Sequence, residues 1–341
     1  MSTVTAVRRR HRYREVLVIA VLAAIVVALF ATSLALGAYT VSVPDLIATL
    51  VGQGQGRDNF IVLTLRLPRA TLAVLVGIAF GLAGALFQSL LGNVLASPDV
   101  IGISGGASAA AVLALLVLGF SGPAVSIAAF LGALGVAALI YGLSWRAGLT
   151  GYRFVLVGVA IGFFGKAVLG YLLTRADVRD AQSALVWLVG SLSGAQWADI
   201  AALAVALAVL LPALLLLTPQ LRVLQLGDDA ARGLGLPVQR SRLILLVIAV
   251  ALAAVGTAAA GPVAFVAFVA APIARRLVGT GGLAFVPSAM VGAVVVLGSD
   301  IVAQHFLPGG VQVPVGIITG AVGAPYLLWL LARANRSGGV L

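Results

Sequence analysis

Residues 16–36, VLVIAVLAAIVVALFATSLAL, form one apolar run without a charged side chain. A helix needs about 20 predominantly apolar residues to cross the hydrocarbon core of a bilayer. Nine further apolar runs follow, at about 70–91, 100–118, 124–144, 154–173, 199–217, 243–260, 262–274, 284–304 and 313–332. The sequence therefore predicts an all-α integral membrane protein with about ten transmembrane helices. The eighth run is short and contains Pro262 and Pro272, so we expect it to pack inside the protein rather than to span the membrane alone.

The composition excludes a soluble protein, because 62% of the residues are hydrophobic and 9% are charged, whereas soluble domains carry about 25% charged residues. The net charge of +11 raises the alternative of a nucleic-acid partner. Such a partner requires one concentrated basic face, but the arginines here lie in short clusters between the apolar runs, which favours membrane lipid as the partner.

The chain has no cysteine, and its two histidines and ten carboxylates are scattered. We therefore predict neither a metal site nor a bound cofactor.

The arginine distribution predicts the orientation of the chain. With ten crossings, 15 of the 20 arginines lie on the side of the N-terminus, and the other five are Arg57, Arg66, Arg69, Arg175 and Arg179. Because cytoplasmic loops are enriched in Lys and Arg, both termini are predicted to be cytoplasmic. The predicted organisation is a cytoplasmic tail over 1–15, a single transmembrane domain over 16–332 with a cytoplasmic loop at 218–242, and a cytoplasmic tail over 333–341. A secretory signal peptide is the alternative for the first run, but its apolar core is usually about 7–15 residues long, so we expect a retained anchor.

Lys166, the single lysine of the chain, lies inside the fifth apolar run. A Walker A loop reads Gly-x-x-x-x-Gly-Lys-Ser/Thr, but here Gly165-Lys166 is followed by Ala167, so the chain is not expected to hydrolyse nucleotides by that route. Lys166 either snorkels to the outer membrane surface or faces a transport pathway and favours anionic cargo. Asp300 is the one carboxylate placed for a proton relay, and a single peripheral Asp is too little for a proton-driven transporter.

The loop Leu226–Pro237, LGDDAARGLGLP, has the pattern of a short capped helix. Asp228 and Asp229 suit a helix N-terminus, Gly235 suits the position after a helix end, and Pro237 prevents continuation. This helix, on the predicted cytoplasmic surface, is either a plain connector or a docking site for a partner.

Two arginines three residues apart, Arg66 and Arg69, flank Pro68 on the predicted outer side. They either anchor the second helix at the membrane interface by snorkelling or form salt bridges with an external partner.

Ten short stretches of the chain form an ordered series of motifs. They are Leu65–Arg69 (LRLPR), Gly81–Gln88 (GLAGALFQ), Asn93–Asp99 (NVLASPD), Gly102–Ala107 (GISGGA), Trp187–Leu192 (WLVGSL), Leu226–Pro237, Gly261–Val266 (GPVAFV), Ala271–Arg276 (APIARR), Pro314–Gly320 (PVGIITG) and Gly323–Pro325 (GAP). Each stretch is weak alone, but their order and spacing resemble the FecCD-type permeases of ABC importers for ferric siderophores and vitamin B12. The resemblance runs nearly from end to end.

The resemblance implies a type II ABC importer permease fold with ten helices in the bacterial cytoplasmic membrane. It implies a non-catalytic subunit that moves a ferric siderophore inward and works with a second permease subunit around one pathway. Arg66 and Arg69 would meet acidic residues of an extracytoplasmic siderophore-binding protein, and Lys166 and Gln88 are candidates for lining the pathway. Two cytoplasmic ATP-binding subunits would dock on the loop residues Gly227, Asp228, Asp229, Ala230, Ala231, Arg232, Gly233, Leu234 and Gly235.

The chain departs from the family pattern at several positions. Val94 stands where many members have proline, and Pro272 is not followed by the histidine that many members have. The vitamin B12-type members carry an arginine near the position of Gln304. The stretches Asp300–Gln304 and Tyr171–Asp177 resemble the ferric-enterobactin branch, which commonly uses two different permease chains, so a heterodimer is favoured over a homodimer. A vitamin B12 or haem permease of the same family and, from another class, a secondary transporter are the alternatives.

Overall fold

The computed structural model describes residues 3–37, 39–54, 56–145, 151–279 and 282–336, and within these ranges the secondary structure is entirely helical. The α-helices are α1 Thr3–Ala35, α2 Val43–Leu50, α3 Gly56–Asn59, α4 Leu67–Leu91, α5 Ile103–Leu116, α6 Pro123–Ser144, α7 Gly151–Arg175, α8 Val178–Val189, α9 Trp197–Leu224, α10 Asp228–Gly233, α11 Val238–Ala260, α12 Val266–Val278, α13 Phe285–His305 and α14 Val315–Arg336. A π-helical segment, Phe60–Arg66, leads into α4, and a 3-10 turn, Pro308–Gly310, precedes α14.

The ten predicted apolar runs each coincide with one of these helices, which confirms the prediction of an all-α membrane protein with about ten transmembrane helices. Seven described helical stretches are long and apolar enough to cross a bilayer: those containing α1, α4, α6, α7, α9, α11 and α13. The helices α5 and α14 are shorter apolar helices. The helix α12, which carries the eighth run, has 13 residues, and most of its side chains are buried, as expected for a segment that does not span alone.

The long helix α4 lies at the centre of the bundle and packs against α13, α11 and α12. Gly77, Gly81 and Gly84 follow one another on one face of α4, and their missing side chains let the backbones approach closely. A Cβ atom built on Gly77 would lie 2.5 Å from a Cα atom of α13. A Cβ atom on Gly84 would overlap the Ala267 carbonyl group of α12. The close approach of α4 to α12 and α13 therefore depends on these small residues.

Two clusters of arginine contacts mark the two ends of the bundle. At one end, the Arg14 guanidinium of α1 donates to the Leu277 carbonyl group of α12 with an N···O distance of 3.0 Å. At the opposite end, Arg69 in the first turn of α4 binds Asp300 near the end of α13. We refer to these as the Arg14 end and the Asp300 end.

The predicted tails fall partly within helices. From Thr3 onward, residues of the predicted N-terminal tail 1–15 form the first turns of α1, which continues without a break into the first apolar run. Arg146, one of the arginines used to predict the orientation, and residues 337–341 of the predicted C-terminal tail lie outside the described residues.

Candidate functional site

A cavity of about 680 Å³ opens between α5, α7, α12 and α14. Its wall contains many glycine and small side chains, and of the described residues that line it, Asp99 and Lys166 are the charged ones. Gly102 begins α5 with φ of +85°, and a Cβ atom there would lie 2.7 Å from the Gly158 carbonyl oxygen of α7. Glycine at position 102 thus allows both the left-handed backbone and the close contact that shapes the cavity wall.

Asp99 joins the loop before α5 to the start of α12. Its carboxylate accepts a hydrogen bond from the Ser104 hydroxyl group at 2.5 Å and another from the backbone N–H of Phe265. Phe265 has φ of +64°, a left-handed conformation that strains a bulky residue. Burial raises the pKa of the Asp99 carboxyl above its ordinary value, and the hydrogen bonds from Ser104 and Phe265 oppose that rise. Asp99 thereby holds a strained aromatic residue that itself lines the cavity.

Lys166 lies on α7 at the edge of the same cavity. Its ammonium nitrogen is 5.4 Å from the centroid of the Phe163 ring, one turn earlier on the helix. Among the described residues no carboxylate lies within 4 Å of this nitrogen, so the charge is not neutralised by an ion pair. The surrounding stretch of α7 is 6% buried within this chain, which leaves the Lys166 side chain accessible to a molecule entering the cavity.

Gln88 lies behind the cavity wall rather than on it, and its side chain is buried. Its amide nitrogen donates to the Phe268 carbonyl oxygen at 3.1 Å, and its amide oxygen accepts from the Arg275 guanidinium at 3.2 Å. Arg275 also donates to the Ser89 hydroxyl group at 3.0 Å. These hydrogen bonds tie the end of α4 to α12, so Gln88 supports a residue of the wall, Phe268, instead of facing the cavity itself.

At the Asp300 end, Arg69 forms a bidentate ion pair with Asp300. The Arg69 Nη2 atom is 2.8 Å from Asp300 Oδ1, and Nε is 3.0 Å from Oδ2. The Asp300 side chain is 0% exposed and the Arg69 side chain is 17% exposed. Gln304, one turn later on α13, donates to Asp300 Oδ2 at 2.6 Å, so the buried carboxylate is well supplied with donors.

Arg66 lies at the same end and covers the end of α1. Its Nη1 atom donates to the carbonyl oxygens of Leu34 at 2.8 Å and Ala35 at 3.2 Å, and its Nη2 atom donates to the Tyr39 carbonyl oxygen. A cation at a helix C-terminus satisfies carbonyl groups that lack intrahelical partners and interacts favourably with the helix dipole.

The helix α10 confirms the predicted short capped helix. It spans Asp228–Gly233, with Gly227 at φ +95° before it and Gly235 at φ +81° after it. The N–H of Gly235 donates to the Arg232 carbonyl oxygen at 2.9 Å and that of Leu236 donates to Ala231 at 3.0 Å, which is the Schellman arrangement that ends helices.

The two acidic residues of α10 have different surroundings. Asp228 binds Arg242 of α11, with Oδ1 and Nη2 separated by 2.8 Å. Asp229, whose side chain is fully exposed, binds Arg232 within α10 at 3.0 Å. On either side of the helix, Leu226 and Leu234 are 64% and 67% exposed. Asp228 therefore fixes α10 on the bundle, while Asp229 and the two leucines form an accessible surface.

Three residues of these sites were not predicted from the sequence: Asp99, Arg242 and Arg275. Asp99 belongs to the NVLASPD motif, so a signal existed, but the motif gives no indication of a bond to Phe265. Arg242 and Arg275 lie at the ends of apolar runs, where basic residues are common, and nothing in the sequence distinguishes them.

Within the described ranges, no three His, Cys, Asp or Glu residues come together as a metal site.

Comparison with known proteins gives consistent matches over the whole transmembrane region. Residues 24–333 match the model of the FecCD transport family. The chain is 38% identical over 301 residues to the ferric enterobactin transport system permease protein FepG of Escherichia coli (strain K12), which covers 88% of this chain and 91% of the relative. It is 37% identical over 333 residues to the iron(3+)-hydroxamate import system permease protein FhuG of Bacillus subtilis (strain 168), covering 94% and 98% of the two chains. Among solved structures, a metal-chelate type ABC transporter in an inward-facing conformation is similar, with a TM-score of 0.82, 26% identity, and coverage of 92% of this chain and 98% of the other.

Proposed function

The chain belongs to the FecCD transport family, and from that premise we propose that it moves a ferric siderophore into the cytoplasm, driven by ATP hydrolysis in partner subunits. It is a non-catalytic membrane permease of a siderophore or metal-chelate ABC importer, which excludes the alternative of a secondary transporter. The observation that carries the choice of cargo is the cavity, whose volume of about 680 Å³ and largely apolar wall suit a bulky chelate and whose described residues include no cluster of metal ligands. Iron that crosses such a surface has to arrive already chelated.

We propose that the cavity is part of the transport pathway and that Lys166 is its cationic contact. Ferric siderophores are often anionic, and an accessible ammonium group without an ion-pair partner attracts such cargo. Gln88 takes an indirect part by holding Phe268 in the wall.

We propose that α10 is the docking element for a cytoplasmic ATP-binding subunit, of which a complete importer contains two. Its support is the firm attachment through Asp228 and Arg242 combined with an exposed outer surface. A second permease subunit is proposed to cover α7, which is largely uncovered in this chain. The similarity to the enterobactin branch favours a heterodimer.

The proposed orientation places both termini and α10 in the cytoplasm, in agreement with the arginine distribution. A phosphatase reporter that is active only outside the cytoplasm, fused after Leu341, is expected to be inactive, whereas the same reporter inserted at Gly52 is expected to be active. A strong signal after Leu341 would contradict this orientation.

Docking of a siderophore-binding protein is proposed at Arg66 and Arg69. Both guanidinium groups retain N–H donors that are not used within the described chain: the Nη1 group of Arg69 and the Nε group of Arg66. An arginine has five N–H donors, so each side chain can keep its internal contacts and still receive a carboxylate from outside.

The proposal for the cargo is tested by uptake of radiolabelled ferric chelates in cells that lack the chain, with the restored chain as comparison. We expect uptake of one ferric siderophore to be lost and to return on complementation. Normal uptake of every ferric chelate, together with lost uptake of vitamin B12, would instead support the alternative cargo.

A further inference from the structure

Two exposed arginines surround one exposed tryptophan at the Arg14 end of the bundle. The Arg276 guanidinium carbon of α12 lies 4.5 Å from the centroid of the Trp329 ring of α14, and that of Arg333 lies 5.6 Å from it. Tyr326, one turn earlier on α14, has its ring centroid 5.6 Å from that of Trp329. We refer to these residues together with Arg14 as the Trp329 site.

A third arginine is held beside this pair by backbone contacts. Arg14 of α1 donates from Nε to the Leu277 carbonyl oxygen at 3.0 Å and from Nη2 to the Arg276 carbonyl oxygen at 3.4 Å. Its guanidinium lies directly on Gly279, where any side chain would collide with it. These carbonyl groups are at the C-terminus of α12, where a cation is favourable. The fold thus places basic residues of α1, α12 and α14 at the same end of the bundle.

Two arginines of the Trp329 site, Arg14 and Arg276, lie away from the described acidic side chains. In the described part of the protein, no carboxylate lies within 4 Å of the Arg14 or Arg276 guanidinium, and Glu15 makes no ion pair although it follows Arg14. Like charges gathered at one surface create a positive potential that favours an anionic ligand.

The apolar surface next to the site identifies the class of that ligand. Arg14, Leu17 and Val21 follow one another on one face of α1, and Leu17 and Val21 are each 50% exposed. The apolar stretch of α1 is 11% buried in this chain, so this face is available to lipid chains. Trp and Tyr side chains lie preferentially at the level of the lipid headgroups. The arrangement is a cationic group, an aromatic residue and an adjoining apolar surface at one membrane boundary.

We infer that the Trp329 site binds the phosphate of an anionic phospholipid, with the lipid's acyl chains on the Leu17 and Val21 face of α1. The site is separate from α10, which packs against α9 and α11, and from the cavity. Clustered Arg residues at the membrane boundary attract anionic lipids, and a planar guanidinium group such as that of Arg276 suits the oxygens of a phosphate. The inference does not depend on which chelate is transported.

Native mass spectrometry of the full-length chain, titrated with phosphatidylglycerol or phosphatidylcholine, tests this inference. The wild-type chain is expected to prefer phosphatidylglycerol. Arg276→Gln is expected to weaken that binding about fivefold, in keeping with one arginine near an anionic surface. Trp329→Leu, which leaves every arginine in place, is also expected to weaken it. The matched control is Arg57→Gln, because Arg57 lies over Tyr39 at 4.7 Å at the opposite end of the bundle, and its affinity is expected to equal that of wild type.

Three results would overturn the inference. One is equal affinity of wild type and Arg276→Gln for phosphatidylglycerol. Another is complete displacement of the lipid by millimolar inorganic phosphate, which would indicate a site for the free anion. The third is a result in which Arg276→Gln or Trp329→Leu binds lipid as wild type does but no longer binds the ATP-binding subunit. That result would make the Trp329 site a protein interface.

Discussion

Arg69 and Asp300, 231 residues apart in sequence, form a bidentate ion pair that joins the first turn of α4 to the end of α13. The carboxylate is entirely buried, so its charge is stabilised by Arg69 and by the amide group of Gln304 instead of by water. Loss of one partner of a buried pair leaves an uncompensated charge, whereas replacement of both by apolar side chains is often tolerated.

We therefore expect Asp300→Asn to destabilise the protein by about 3–5 kcal/mol. Thermal unfolding of the purified chain in detergent measures the effect, and the double variant Arg69→Met with Asp300→Leu is expected to recover much of the loss. Asp229→Asn is the control, because its ion pair is fully exposed and such pairs add little to stability. An unchanged unfolding midpoint for Asp300→Asn would contradict a structural role for this pair.

The helices of the ten apolar runs and α10 could be predicted from the sequence, whereas α2, α3 and α8 and the pairing between helices could not. An apolar run of membrane length determines a helix by itself, and the acidic and glycine residues of Leu226–Pro237 determine α10 locally. The ion pair between Arg69 and Asp300 depends on the relative shift and rotation of α4 and α13, which no local pattern specifies. From the sequence alone, the two residues are therefore expected to have separate roles.

The same distinction applies to the cavity. Lys166 is recognisable as the single lysine, but its position at a cavity depends on how α7 packs against the loop before α5. Gln88 and Arg275 illustrate the converse case, in which a polar residue within an apolar run and one at the end of another run satisfy each other in the core. A polar residue in a transmembrane run is thus only a candidate for the pathway until its partners are known.

The hydrogen bond between Asp99 and the Phe265 N–H predicts unequal effects of two substitutions. Asp99→Asn keeps an acceptor oxygen, and because burial already favours the neutral form of Asp99, uptake is expected to stay near normal. Asp99→Ala leaves a buried N–H without an acceptor beside a strained residue, at a cost of about 1–3 kcal/mol, and uptake is expected to fall. Ser104→Ala, which removes a donor only, is the control. Equal uptake by Asp99→Ala and Asp99→Asn would show that this bond is dispensable.

Asp229, the exposed acidic residue of α10, allows docking of the ATP-binding subunit to be tested without loss of the ion pair that attaches α10 to the bundle. Asp229→Arg is expected to leave membrane insertion intact and to reduce uptake, because the added charge opposes the helix dipole and is placed on the surface proposed to meet the partner. The double variant Asp228→Arg with Asp229→Arg also breaks the ion pair with Arg242 and is expected to abolish uptake. Binding of the ATP-binding subunit and uptake are measured together. Asp180→Arg, an exposed substitution in the first turn of α8, is expected to have no effect. Normal uptake and normal ATPase binding by the double variant would make α10 a simple connector.

Lys166 is expected to discriminate between cargoes by charge. At an effective dielectric constant of about 20, a unit charge about 8–16 Å from an anion contributes roughly 1–2 kcal/mol, so Lys166→Met should slow uptake of an anionic chelate roughly fivefold or more and leave a neutral chelate unaffected. The control on the same helix is Arg175→Met, since Arg175 lies over the Tyr171 ring at 5.6 Å and does not line the cavity. Equal slowing of anionic and neutral chelates would indicate that Lys166 anchors α7 at the membrane surface.

The docking of a binding protein is best tested at Arg66, because charge reversal at Arg69 would place a second carboxylate against the buried Asp300 and would confuse docking with misfolding. Arg66→Glu is expected to weaken binding of the purified binding protein to the permease complex in membranes. A loss of about 2–5 kcal/mol would indicate a buried contact, whereas a change confined to association rate and salt dependence would indicate a contact at the rim.

Two comparisons separate docking by Arg66 from its contacts with the end of α1. Arg57→Glu reverses a charge at the same end of the bundle, where Arg57 stacks on Tyr39, and is expected to leave binding nearly unchanged. A Glu→Arg substitution on the binding protein is expected to restore part of the affinity for Arg66→Glu, because restoration by the partner requires that the two side chains meet. If affinity for Arg66→Glu is the same as for wild type at low and at physiological salt, Arg66 serves only to satisfy the carbonyl groups of Leu34 and Ala35, and the docking surface has to lie elsewhere at the Asp300 end.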